Sequence, residues 1–454
     1  MRPHVPISIV LPAVLSLFGA VAYAQVAPPP PFAGFDPPVF YPTGFVPAGL
    51  RARDLTGDGF PDIATANEQS DDASILVNRG DGTFFPEIRI PVANAPRDIE
   101  IADFNGDGIA DLAVVLGGEF HPRGLAVLLA TAPAQFAAPV FYASGSAPVS
   151  MAAGDLDGDG DIDLVTANQG SDDMAVHLNT GAGAFAPAVL YAAGRVPQDV
   201  KLGDLDGDGD LDAVVGIAFD THFTVLWNRG DGSFEGPQFV PTAEKPFQLA
   251  VADFDADGRD DVLIRSPAKH LTVFVSIGGR RFTEHGPFPT GALMSEQEAG
   301  RIDPNGAIDE GFIRGGGVPP PFGGSLLGDG AGNLLQPPIG IELGTSLGFP
   351  MAIADLDLDG DNDVVAGRSF DVSVAINRAF RPDAPDLNGD GVVDGADVAM
   401  LLQAWGGAGP TDLDHSGVTN GADLARLLNN FGRSFPAQRA PGSPPSPPTQ
   451  GETP

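Results

Sequence analysis

Six copies of an aspartate ladder, D-x-[DNT]-x-D-G-x-x-D, begin at Asp54, Asp103, Asp155, Asp204, Asp253 and Asp355. Successive copies lie 49, 52, 49, 49 and 102 residues apart, and the last gap is two periods. Acid side chains at alternate positions around a glycine repel one another when folded together bare, so each ladder calls for a hard divalent cation. All-oxygen ligation disfavours zinc and copper, and a flexible multi-carboxylate loop suits calcium better than magnesium. A period near fifty residues also dictates a repeat architecture.

The whole unit recurs, not the ladder alone. In the fourth copy, Val196–Gly203 precedes the ladder Asp204–Asp212; Ala213–Gly216 and Phe223–Trp227 follow, and Asn228-Arg229-Gly230-Asp231-Gly232-Ser233-Phe234 closes the unit. The first copy closes with the matching Asn78–Phe84. Each unit holds three or four short β-rich runs between Gly- and Asp-rich turns, with no helix-length periodic segment. Four strands per unit, repeated radially, predict the blades of a β-propeller. A worn copy, Asp303-Pro304-Asn305-Gly306-Ala307-Ile308-Asp309, fills the double gap, and Gly328–Leu334 stands where its closing turn belongs. The expected fold is all-β: seven blades over 35–380, six with intact metal loops.

These units resemble the FG-GAP/VCBS repeats of the integrin α-subunit head and of many bacterial secreted proteins. The resemblance implies a seven-bladed propeller with calcium in the loop between the first two strands of a blade. The expected ligands are ladder positions one, three, five and nine, with the position-seven carbonyl. They are Asp54, Thr56, Asp58 and Asp62; Asp103, Asn105, Asp107 and Asp111; Asp155, Asp157, Asp159 and Asp163. The later sets are Asp204, Asp206, Asp208 and Asp212; Asp253, Asp255, Asp257 and Asp261; Asp355, Asp357, Asp359 and Asp363. Alternate side chains converge, and the position-six glycine allows the turn that brings position nine back. About six calcium ions are expected here, in structural rather than catalytic roles.

The formal net charge of −36 is largely these ladders, and the acidic surface that remains argues against nucleic acid or anionic membrane as a partner. Arg2 and His4 precede an apolar run, and Ala22-Tyr23-Ala24 offers a cleavage site, so residues 1–24 read as a secretory signal and the protein as secreted or at the cell surface. There is no cysteine, hence no disulfide staple and no thiol nucleophile. Residues 25–34 form a Pro-rich spacer, and 434–454 read as a solvated tail.

Beyond a linker at 381–385 the period changes. Asp386, Asn388, Asp390, the Val392 carbonyl, Asp394 and Asp397 have the spacing of a twelve-residue EF-hand-type loop, followed by Val398, Leu401, Leu402 and Trp405 at helical spacing. The unit repeats with Asp412, Asp414, Ser416, the Val418 carbonyl, Asn420 and Asp423, then Leu424, Leu427, Leu428 and Phe431. Residues 386–433 thus resemble a dockerin domain. That resemblance implies a small α-helical module with one or two calcium ions and a cohesin-type partner.

Other signals are weaker. Arg79-Gly80-Asp81 and Arg229-Gly230-Asp231 spell an integrin-binding tripeptide, but both lie in closing turns where a tight hairpin explains them. H-E-x-x-H does not occur, and no catalytic constellation is visible. Topology puts the metal loops on one face and the variable stretches on the other. Phe120, His121, Phe219, His222 and His270 are therefore candidate contacts for a polysaccharide or a cell-surface protein. The expected function is a calcium-binding adhesion platform anchored through its C-terminal module. The alternative is a polysaccharide lyase-like propeller delivered by its dockerin.

Overall fold

The computed structural model describes residues 35–118, 124–266, 270–290, 293–300, 308–315, 323–335, 339–341, 343, 350–358, 362–377, 395–403, 405, 424 and 427. Phe120, His121, Asp359, the worn ladder before Ile308, the signal segment, the linker, the tail and both twelve-residue loops as far as Asp394 and Asp423 lie outside these residues. Among the described residues, strands assemble into seven four-stranded antiparallel sheets.

The first sheet runs Pro47–Arg53, Asp62–Asn67, Asp72–Leu76 and Ile88–Pro91. The second begins at Pro96–Ala102, the third at Pro148–Gly154, the fourth at Pro197–Gly203, the fifth at Gln248–Ala252 and the sixth at Leu293–Gly300. Each is a simple meander. The seventh, Met351–Ala354, Asp363–Gly367 and Asp371–Ala375, takes its outer strand from the other end of the chain: Val39–Pro42 pairs with Asp371–Ala375, Val39 opposite Val374. That long-range pairing covers the edge a three-stranded sheet would leave bare.

Second and third strands are buried on both faces, as in Asp62–Asn67, Asp111–Leu116 and Gly124–Leu128. Their apolar runs fill the spaces between sheets. Ile75 and Ala64 of the first sheet share a core with Ile99, Val114 and Leu128 of the second. Val115 and Leu125 meet Met151 and Leu164 of the third. Val165 and Val176 meet Val200 and Val215 of the fourth, and Val214 and Phe223 meet Leu249 and Ile264 of the fifth. Leu263 and Val273 meet Leu326 of the sixth; Ile341 and Leu343 meet Val364 of the seventh. Val365 and Val374 then return to Leu50 and Ile63 of the first. The first strands neighbour one another in the same cyclic order, with Met351–Ala354 back against Pro47–Arg53. This is a propeller-like arrangement in which, among the described residues, each sheet packs on its sequence neighbours, first and last included.

Further along, Gly395–Gln403 is an α-helix. Its Leu401 is fully buried with Leu427, and Val398 and Leu424 pack against that pair. Two segments expected to be helical therefore share an apolar contact.

Candidate metal loops and a buried ionic network

Every ladder joins the first strand of its sheet to the second. In the third sheet, Asp155 receives the N–H of Gly158 on one oxygen (2.8 Å) and that of Gly160 on the other (3.1 Å). Asp159 accepts the Asp161 N–H (2.9 Å), turning the loop tip. Position four needs a positive φ as much as position six does: 74° at Gly158 and 92° at Gly160. Ala256 (60°) and Leu358 (52°) adopt it without being glycine.

Position nine does two jobs. Asp163 is fully buried, accepting the Leu156 N–H on Oδ2 (2.9 Å) and the Asn179 N–H on Oδ1 (2.6 Å). Asp62, Asp111, Asp212, Asp261 and Asp363 repeat the pair of bonds, tying the metal loop to the start of the same sheet's closing turn. The worn sixth unit keeps this aspartate: Asp309 is fully buried and accepts the Gly328 N–H at 2.8 Å. Position nine is thus a structural staple, whatever else it binds.

The closing turns also reach back one sheet. Asn179 Nδ2 donates to the Phe104 carbonyl (2.8 Å), Asn228 Nδ2 to Leu156 (2.8 Å), Asn78 Nδ2 to Leu356 (2.8 Å) and Ser276 Oγ to Leu205 (2.6 Å). Each acceptor is position two of the preceding ladder, so the loops sit at the seams between sheets. The two Arg-Gly-Asp tripeptides lie in such turns, where Asp81 and Asp231 accept the N–H of Thr83 and Ser233 (3.0 Å each).

In four ladders, oxygens from positions one, three and nine lie within 4.8 Å of one another: Asp155, Asp157 and Asp163; Asp204, Asp206 and Asp212; Asp253, Asp255 and Asp261; Asp355, Asp357 and Asp363. The first two ladders carry Thr56 and Asn105 at position three. Position five is not in these triads; Asp58, Asp107, Asp159, Asp208 and Asp257 hold the loop tip instead. The donor set fits a hard cation. The spacing suits a shared ion with bonds of about 2.3–2.6 Å, and the buried Thr56 Oγ1 and Asp206 Oδ1 have no hydrogen-bond partner. A buried polar atom without a partner costs about 1–3 kcal/mol, which an ion would recover.

Electrostatics point the same way. Burial is the main cause pushing Asp62 and Asp163 up to about 6, and Asp212 and Asp261 up to about 7. Backbone hydrogen bonds pull down, while the neighbouring ladder carboxylates push up further. Burial and adjacent carboxylates also raise Asp157 and Asp255. Near neutral pH a bare loop therefore carries strained negative charge, and a bound cation would relieve it.

A second cluster lies on the first strands. Arg51 Nη2 donates to Glu100 Oε1 (2.6 Å) and stands 3.4 Å from Asp98; Lys201 stands 3.7 Å from Asp199. Asp98 and Asp199 accept the N–H of Met151 and Leu249 from the next sheet (2.9 Å each). Burial alone would lower Arg51 and Lys201, but Asp98 and Glu100 raise the first, and Asp199 and Glu298 the second. Burial raises Glu298 against the pull of both cations. The charged positions alternate with apolar ones along Pro96–Ala102, a period-two signal independent of the ladders.

Opposite the metal loops, the second turn of the fourth sheet and its link to the fifth come together through the Thr242 N–H and the Thr221 carbonyl (3.0 Å). Lys245 lies over the exposed Phe219 ring (5.3 Å), and His222 meets Phe239 edge-on (4.6 Å). Alongside is a cleft of about 230 Å³ lined by Glu244, Ser266, His270, Thr272, Phe274 and Glu284. Phe219 and His270 thus flank one region, while His222 packs on its own sheet.

A family profile described as FG-GAP-like repeat matches residues 54–114, 155–215 and 214–264. The chain therefore carries FG-GAP-like repeats in a propeller-like set of four-stranded sheets. Among solved structures, BBS1N in complex with ARL6DN is similar at TM-score 0.53 and 12% identity, over 76% of this chain and 96% of that one. A streptogramin B lyase is similar at TM-score 0.53 and 12% identity, over 76% and 99%. At such identities the likeness is one of fold. No curated protein sequence matches this chain.

Proposed function

We propose that this chain is a secreted seven-bladed propeller that holds about six calcium ions at its blade seams and serves as a binding platform. The observation that carries the reading is the recurrence of the oxygen triad in register at those seams. Ions there are structural: each would sit inside a loop of one sheet onto which the neighbouring sheet's closing turn latches. The recognition surface is the opposite face, where exposed Phe219, Lys245 and the His270 cleft offer a stacking ring beside polar groups, suited to a polysaccharide or a protein surface. Residues 386–433 act as a dockerin-like anchor for a cohesin-type partner, a reading supported by the shared Leu401–Leu427 core. Residues 1–24 direct export.

The test is affinity capture with the full mature chain from secreted and envelope fractions, with calcium and with chelator. Two variants run in parallel, Phe219→Ala with His270→Ala, and Asp386→Ala with Asp390→Ala. Polysaccharide or protein lost only by the first variant supports the platform, and a calcium-dependent partner lost only by the second supports the anchor. Capture of nothing, with cleavage of an acidic polysaccharide, would replace the platform by the lyase reading, for which Glu244, His270 and Glu284 supply the cleft's titratable groups.

A further inference from the structure

The third and fourth ladders are a natural comparison. Asp155–Asp163 and Asp204–Asp212 carry aspartate at the same five positions and differ only by Ile162 against Leu211. What presses on them differs. In the first six sheets the fifth residue of the closing turn has a positive φ; it is Gly82, Gly183, Gly232 and Gly332 in four turns and Ala134 in the second sheet. At Gly82 and Gly232 it lies against the preceding ladder. A Cβ on Gly232 would stand 3.4 Å from the Asp157 Cβ, and one on Gly82 3.5 Å from the Asp357 Cβ. In the fifth sheet this residue is Arg280, with φ 61°.

Arg280 is held on several sides. Its Nε donates to Asp206 Oδ2 (3.0 Å), and Nη1 stands 2.9 Å from Glu235. The guanidinium lies 4.9 Å over the Trp227 ring, and the Arg280 carbonyl accepts from Gln238 Nε2 (3.0 Å). Gln238 in turn accepts the Trp227 Nε1 proton (3.0 Å). Asp206 is position three of the fourth ladder, and its other oxygen, Oδ1, is buried without a partner. One carboxylate thus faces a resident cation on one side and the oxygen triad on the other.

We propose that Arg280 is a built-in counter-charge of the fourth loop, claiming one oxygen of Asp206 and making this loop a weaker cation site than the third. The inference rests on the calcium reading above. A guanidinium one carboxylate away from a divalent ion costs about tenfold in affinity even at high effective dielectric. The same guanidinium bridges the fourth and fifth sheets through Asp206 and Glu235, so this seam keeps a cationic tie when metal is scarce.

Trp227 makes the fourth loop separately readable. The full chain carries two tryptophans, Trp227 and Trp405, so a Trp405→Phe background leaves Trp227 to sensitise terbium luminescence. Terbium and then competing calcium are titrated into this background, Arg280→Gln, Arg280→Gly and Asp206→Asn, at low salt and at about 0.5 M salt, where charge effects are screened. Total calcium uptake is followed by equilibrium dialysis. The expected result is at least tenfold tighter sensitised binding in both Arg280 variants, a gain that shrinks at high salt, and loss of the signal in Asp206→Asn. Unchanged or weaker binding in both Arg280 variants, while dialysis still shows calcium uptake, overturns the proposal alone. No calcium uptake by any of the proteins overturns the calcium reading with it.

Discussion

At Asp163 two functions share one carboxylate. The ladder spacing marks it as a ligand, yet both its oxygens already accept buried N–H groups from Leu156 and Asn179. Asp309 keeps one such bond although its ladder lacks the central Asp-Gly, so the staple does not depend on an intact ladder. Asp163→Ala leaves two buried donors unsatisfied and is expected to cost about 2–4 kcal/mol even in chelator. Asp159→Ala, at the exposed loop tip, should cost under about 0.5 kcal/mol in chelator. Urea unfolding of both variants separates the roles, and equal losses would deny the staple. Position four gives the opposite sign. Leu358 is 51% exposed and holds φ 52°, so Leu358→Gly relieves a left-handed residue while uncovering little. The expected gain in the same assay is about 0.5–1 kcal/mol. The ladder itself was legible because carboxylate spacing is written in the chain. Staple and strain were not, because closing-turn partners fourteen or more residues away, and the backbone twist of each loop, are set by the sheet.

At the scale of a strand, the repeat predicts its own exceptions. The last residue of the third strand is Leu76, Leu128 and Leu226 in the first, second and fourth sheets, each buried. In the third sheet it is His177, fully buried with neither ring nitrogen partnered. Burial lowers its pKa to about 4 from an ordinary value of 6.5. The folded state therefore holds the neutral ring, and its stability is complete above about pH 6.5 and declines as pH falls toward 4. The loss approaches about 3 kcal/mol at the acid end. His177→Leu should be progressively more stable than the parent as pH drops from 7 to 4.5, measured in chelator; a constant difference across that range would sink the assignment. Strand patterning was readable from alternation and turn signals. The outer strand Val39–Pro42 was not, since its partner Asp371–Ala375 lies at the far end of the repeat and only ring packing brings them together.

For the molecule as a whole, the seams decide how stability depends on metal and pH together. The core clusters of the sheets each join two neighbours, and the ladders of the second, third, fourth and seventh sheets are latched to the closing turn of the next. Stress in one loop is therefore felt at an interface. The position-nine carboxylates of Asp62, Asp163, Asp212 and Asp261 lie at about 6 to 7 in the folded chain, above their unfolded value near 3.9. A raised carboxylate supports the fold fully below the unfolded pKa, and that support is lost as pH rises through the folded one. Metal-free protein should then be most stable on this account near pH 4–5 and weaken toward pH 7.5, offset in part at the acid end by His177. A bound cation favours the ionised carboxylates and reverses the trend, because binding only to the folded loops adds stability by mass action. Melting temperature with excess calcium and with chelator, at pH 5 and at pH 7.5, tests this directly. The calcium-dependent difference should be several-fold larger at pH 7.5. A difference independent of pH would mean that the ion binds elsewhere than at these buried carboxylates.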